Sequence, residues 1–145
     1  MKASADYPTV NAKNPEGVDP FGRPYRVLLV DDSMFVRKQL SQILSSEGFE
    51  ILDQAEDGNQ GFMTYKQHYP DVDLVTMDIT MPNMDGITCL EKILAFDKEA
   101  KVVMISALGK EDLVRKALVT GAKNFIVKPL DRKKVLERIR GVLKG

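Results

Sequence analysis

The chain has 145 residues, with 21 basic and 21 acidic side chains. That length suits one domain able to bury its own core, and the balanced charge removes any global pull toward nucleic acid or a membrane surface. One cysteine, Cys89, excludes an intrachain disulfide. Residues 1–8 lack the apolar core of a secretory signal, and no apolar run approaches the ~20 residues of a membrane span. The expectation is a cytoplasmic monomer.

Residues 1–25 lack strand or helix periodicity and are rich in Pro, Asn, Asp and Gly. They read as an irregular N-terminal extension to a domain over 26–145. Either this extension is a flexible tail, or Tyr7, Phe21 and Tyr25 pin part of it to the domain.

From residue 26 the pattern is regular. Residues 27–30 are continuously apolar, as in a strand covered on both faces. Asp31, Asp32 and Ser33 end it and offer helix caps. Val36, Leu40, Ile43 and Leu44 recur at helical spacing, with Gly48 as a C-cap. A second strand is expected over 49–52. A second helix follows over 59–69, with Phe62 and Tyr65 on one face and Pro70 as its stop. Residues 74–77 form a third strand, and Ile87, Leu90, Ile93 and Leu94 mark a third helix. Residues 102–105 form a fourth strand. The fourth helix, 111–119, has a thin apolar stripe of Leu113, Ala117 and Leu118. It reads as the least amphipathic of the set, either a mobile element or an ordinary surface helix. A fifth strand over 125–127 and a last helix over 131–143 complete the pattern. Strands alternating with helices imply a parallel sheet with right-handed crossovers.

The chemistry lies at the strand ends. Ligands of open α/β sheets bind outside the C-terminal ends of the strands, and Asp78 ends the third strand there. If the first and third strands are neighbours, Asp31, Asp32 and Asp78 converge. Two carboxylates ~4 Å apart repel by roughly 4 kcal/mol at an effective dielectric of 20. A proton or a cation must relieve that, and an all-oxygen set suits Mg2+. Taken singly, Asp31 and Asp32 are equally good helix caps and Asp78 a loop cap. Beside a metal, Asp78 has the attributes of a nucleophile toward a phosphoryl group. Ser106 ends the fourth strand, where a hydroxyl serves a turn or donates to a phosphoryl oxygen. Lys128 ends the fifth strand amid apolar neighbours and requires an anion, with Asp78 or its phosphate available.

The segments Val-Asp-Asp-Ser, Met-Asp-Ile-Thr-Met-Pro-Asn-Met-Asp-Gly, Ile-Ser-Ala and Val-Lys-Pro, in that order and spacing, resemble the receiver domains of bacterial two-component response regulators. The resemblance spans residues 26–143. It implies a flavodoxin-like, doubly wound five-stranded parallel sheet of order 2-1-3-4-5 with five helices. It also implies roles. Asp78 matches the phospho-acceptor, and Asp31 and Asp32 the acidic pair around Mg2+, with Asp32 the more direct ligand. Thr80 matches the position that lends the metal a backbone carbonyl. Ser106 matches the switch hydroxyl, Lys128 the phosphate-contacting lysine and Phe125 the aromatic switch. Thr80 and Leu108 match positions that tune autodephosphorylation, and the apolar Leu108 offers the attacking water no hydrogen bond.

The loop after Asp78 and the Ser-Ala-Leu-Gly segment are most similar to CheY-type chemotaxis regulators. The implied partners are a CheA-type histidine kinase, the flagellar motor switch and a dedicated phosphatase. The expectation is that no DNA-binding output domain accompanies the receiver domain. The expected chemistry is self-phosphorylation with slow autodephosphorylation, not enzymatic turnover. Three alternatives remain at this point. A phosphorelay intermediate would pass its phosphate to another histidine domain. A haloacid dehalogenase-type phosphatase requires a second carboxylate two residues after the nucleophile, where this chain has Thr80. A flavodoxin-type electron carrier requires a phosphate-cradling loop where this chain has Asp31-Asp32-Ser33.

Overall fold

The computed structural model describes residues 15–144. Ten elements alternate: β1 (Arg26–Val30), α1 (Met34–Ser45), β2 (Glu50–Ala55), α2 (Gly58–His68), β3 (Leu74–Asp78), α3 (Gly86–Phe96), β4 (Val102–Ser106), α4 (Glu111–Thr120), β5 (Asn124–Val127) and α5 (Arg132–Lys144). All pairings within the sheet are parallel and its order is β2-β1-β3-β4-β5. This is the order expected from the resemblance. Among the described residues, no helix is long and apolar enough to cross a membrane.

The apolar runs of β1, β3 and β4 exist because the sheet has a core on each side. Side chains alternate across a strand. Leu28, Val30, Val75, Met77, Val102 and Met104 pack with α2 and α3 residues such as Tyr65, Leu90 and Ile93. Val27, Leu29, Leu74, Val103 and Ile105 pack with Leu40 and Ile43 of α1 and Val135 and Ile139 of α5. Strands with both faces covered have little freedom to slide, since a one-residue slip moves every side chain to the other face. The register therefore sets the strand tips level, with Val30 opposite Met77, Asp78 opposite Ile105 and Ser106 opposite Val127.

Three expectations need correction. β2 runs three residues further than expected, to Ala55. As an edge strand carrying Glu50, Asp53 and Gln54 it lacks the continuous apolar run of the inner strands. Gly48 is not the cap residue of α1; that is Ser46, and Gly48 takes the left-handed φ of +87° in the turn beyond. α4 is not the least amphipathic helix. It buries Val114 and Ala117 and leaves Leu118 and Val119 exposed, a one-sided pattern. α2, which buries two glycines and Tyr65, is less sharply divided.

Residues 15–25 lie against the domain. Gly17 N donates to Glu47 O (2.8 Å), Tyr25 N to Gly17 O (2.8 Å) and Glu50 N to Tyr25 O (2.9 Å). Tyr25 packs near Phe49, with ring centroids 6.3 Å apart. Phe21 is 85% exposed and pins nothing; Tyr7 is outside the described residues. Glu47 is buried, and its carboxylate accepts from Glu16 N (3.0 Å) and Arg132 Nη2 (2.9 Å). Glu16 in turn faces Arg140 (3.4 Å) and Lys144 (3.7 Å).

Gly86, the first residue of α3, lets that helix sit against the tip of β3. Its N–H donates to Ile79 O at 2.7 Å. A Cβ there runs into the carbonyl oxygen of Asp78 and lies 2.9 Å from Ile79 Cα, both backbone atoms. Gly86→Ala is expected to cost about 2 kcal/mol, an overpacking penalty, read as a lower urea midpoint.

Candidate functional site

Backbone geometry alone brings the acidic side chains together. Asp31 and Asp32 follow β1, Asp78 closes the adjacent β3, and one carboxylate oxygen from each lies within 4.8 Å of the others. Asp31 and Asp78 are buried and Asp32 is exposed, so the cluster opens to solvent on one side. Ser33, not either aspartate, caps α1, its Oγ accepting from Val36 N at 3.2 Å. Asp31 Oδ1 accepts from Ser33 N at 2.8 Å. Asp31 Oδ2 is buried and accepts no hydrogen bond. The only ion-pair partner near these oxygens, among the described residues, is Lys128, with Nζ 3.6 Å from Asp78 Oδ1 and 3.8 Å from Asp31 Oδ2.

Three carboxylates against one ammonium leave the cluster short of positive charge, and the acidities record it. Burial, then the charge of Asp31, pushes the Asp78 carboxyl up to about 7, with Lys128 opposing. Burial also raises Asp31, opposed by the Ser33 N–H and Lys128. An orphaned buried carboxylate oxygen in an all-oxygen set open to water fits a hard divalent cation such as Mg2+.

Thr80, Ser106, Leu108 and Phe125 are the remaining expected residues. Thr80 is exposed, two residues past Asp78. Ser106 is buried at the tip of β4, and its hydroxyl donates to Ala107 O at 2.9 Å. Ser106, Leu108 and Phe125 line one cleft of about 290 Å³ between the β4–α4 loop, α4 and β5. Leu108 is exposed, and Phe125 is half-buried with the Arg138 guanidinium 5.0 Å from its ring centroid.

Three supporting residues were not singled out from the sequence. Arg37 of α1 is buried; it donates to Asp31 O at 2.6 Å and to Gln54 Oε1 at 3.0 Å, holding the end of β1. Asp57 caps α2 through Oδ1, which accepts from Gln60 N at 2.9 Å. Its Oδ2 accepts from Asn83 Nδ2 at 2.8 Å. These bonds hold Asp57 below the usual carboxylate range. Asn83 sits at φ +68° in the loop after Asp78. The Asp57-Gly58 pair ahead of a periodic helix is a capping signal; the contacts of Arg37 and Asn83 have no counterpart in local pattern.

With this geometry in place, relatives can be compared. A profile of the response regulator receiver domain matches residues 27–140. A protein of Treponema pallidum named chemotaxis protein CheY is 69% identical over 144 residues, covering 99% of this chain and all of that one. A Bacillus subtilis protein of the same name is 49% identical over 119 residues, covering 82% of this chain and 98% of that one. The crystal structure of a CheX–CheY–BeF3–Mg complex from Borrelia burgdorferi has a chain 60% identical to this one at a TM-score of 0.87. That match covers 90% of this chain and 98% of the other.

The acidity of Asp78 has a consequence for stability. In the folded, metal-free protein burial and the charge of Asp31 push this carboxyl up to about 7, above its ordinary value of 3.8. Between those values the folded state binds more protons than the unfolded state, so stability falls as pH rises across that window. Asp78→Asn removes the contribution of this group and leaves that of Asp31, which burial also raises. Calorimetry without divalent cations is expected to show the variant melting roughly 4 °C or more above the parent at pH 8, with the gap closing toward pH 4.

Proposed function

The chain belongs to the response regulator receiver family, of the CheY-like chemotaxis kind, and we propose that it is a switch phosphorylated on Asp78 by a histidine kinase. The observation that carries this reading is the convergence of Asp31, Asp32 and Asp78 within 4.8 Å, with Lys128 3.6 Å from Asp78.

Asp31, Asp32, Asp78 and the backbone carbonyl of Thr80 are the groups that would hold Mg2+. Bound there, the ion offsets the carboxylate charge and polarises the phosphoryl oxygens. An Asp78 oxygen attacks the phosphorus of a phosphohistidine: the O–P bond forms, the P–N bond breaks, and the leaving imidazole takes a proton from solvent. Strand β3 holds the nucleophile rigid, since Leu74–Asp78 is buried along its whole length. Lys128 pairs with a phosphoryl oxygen. Ser106 exchanges the Ala107 carbonyl for another, and Phe125 turns toward the cleft it already lines. Phosphorylation adds nearly two negative charges and three strong acceptors, which is what draws Ser106 and Lys128 inward.

The chemistry stops at the phosphorylated aspartate and its slow hydrolysis. Thr80 stands where a phosphatase of the dehalogenase type requires a second carboxylate. The donor is a CheA-type kinase and the output is altered affinity for the flagellar motor switch, with the cytoplasm as the setting. The Borrelia neighbour is complexed with CheX, which supports a further chemotaxis partner of that kind; a dedicated phosphatase is part of the same proposal. Onward relay to another histidine domain finds no support among the relatives.

Incubation with a radiolabelled small phosphodonor and Mg2+ is expected to place one acid-stable, base-labile phosphate on each chain. Chelation of the metal and Asp78→Asn each abolish the label; label retained by the variant overturns the assignment of Asp78. Phosphorylation-dependent binding to a motor-switch peptide tests the output.

A further inference from the structure

Besides the sheet hydrogen bond from Ile79 N to Ile105 O (3.1 Å) and the turn from Met84 N to Pro82 O (2.7 Å), three hydrogen bonds hold the loop after Asp78. Gly86 N donates to Ile79 O at 2.7 Å, closing the loop on itself. Gly58 N, at the start of α2, donates to Met84 O at 3.1 Å. The third tie is the only one that a side chain makes from both ends: Asn83 Nδ2 donates to Asp57 Oδ2 at 2.8 Å. Asp57 is 9% exposed and fixed by its other oxygen to the first turn of α2. It is therefore a rigid post. Asn83 reaches it only with a left-handed backbone, φ +68°, a conformation that Asn tolerates better than most residues. Thr80 lies between the Ile79–Gly86 tie and Asn83.

We infer that Asp57 and Asn83 are positioning residues for the metal site, fixing the β3–α3 loop and through it the affinity of the site for Mg2+. The inference rests on the reading of Asp31, Asp32, Asp78 and the Thr80 carbonyl as Mg2+ ligands. Neither residue belongs to that ligand set. Their bond joins the β2–α2 and β3–α3 loops, so the edge strand contributes to a site that none of its own residues enters. Outer groups that orient ligands commonly carry a large share of metal affinity.

Two variants separate the bond from its alternatives. Asn83→Gly keeps the left-handed backbone accessible and removes only the side chain. Asp57→Ser keeps an N-cap for α2 and is too short to reach Asn83. Isothermal titration of the full chain with Mg2+ is expected to show one site in the parent and about tenfold weaker binding in each variant. The double variant should bind no more weakly than the weaker single, because both remove one bond. Metal-free melting curves identify each variant as folded, and either folded single suffices. Binding within twofold of the parent in a folded variant overturns the inference, as do losses that multiply in the double variant. A parent that binds no Mg2+ overturns the ligand assignment itself, and the inference with it.

Discussion

Three carboxylates share a few ångströms with a single ammonium, and the structure depends on holding them there. Left in a flexible loop, Asp31, Asp32 and Asp78 would separate, since each close pair repels by about 4 kcal/mol at an effective dielectric of 20. They stay together because β1 and β3 are hydrogen-bonded neighbours, each packed on both faces. The cost of relocating either strand tip is the cost of unpacking two cores. The tension between repelling charges and an unyielding sheet makes the site receptive to cations. It also explains why Lys128, half-buried at the far strand, faces two carboxylates at once.

Support for the site comes from groups of opposite character. Arg37 places a buried cation on the backbone carbonyl of Asp31, not on its carboxylate, so it fixes the strand end while leaving the acidic oxygens available. Asp57 and Asn83 do comparable work on the loop beyond Asp78. The acidic residues thus carry the charge, and their neighbours carry the geometry.

Much of this was legible before any coordinates. The inner strands announce themselves because burial on both faces requires unbroken apolar runs, as in Val27 to Val30. Element order alone leaves open which strand ends meet; the resemblance to receiver domains implies the order 2-1-3-4-5, and with it Asp31, Asp32, Asp78 and Lys128 are recognisable as one site. The edge strand is harder to read, because Asp53 and Gln54 face solvent or side-chain partners and break the run. The stripe of α4 is harder to read: Leu113 and Ala117 face the core as expected, but Val114, not Leu118, is buried beside them. The contacts of Arg37 and Asn83 were invisible for a different reason. They join residues 6 and 26 positions away in the chain through side-chain geometry that no local period encodes.

The segment at residues 15–25 has a bearing on how the molecule opens. Glu16 meets Arg140 across 124 positions, and the buried Glu47 depends on Arg132 for its charge partner. α5 cannot detach while leaving the segment and the α1–β2 turn intact, because doing so strands a buried carboxylate, a change that costs about 3–5 kcal/mol. Amide protons in α5, in the α1–β2 turn and near Gly17 are therefore expected to exchange with solvent as one cooperative unit rather than by fraying from the end of the last helix. Part of the hold on the final helix thus comes from Glu16, which precedes the first strand.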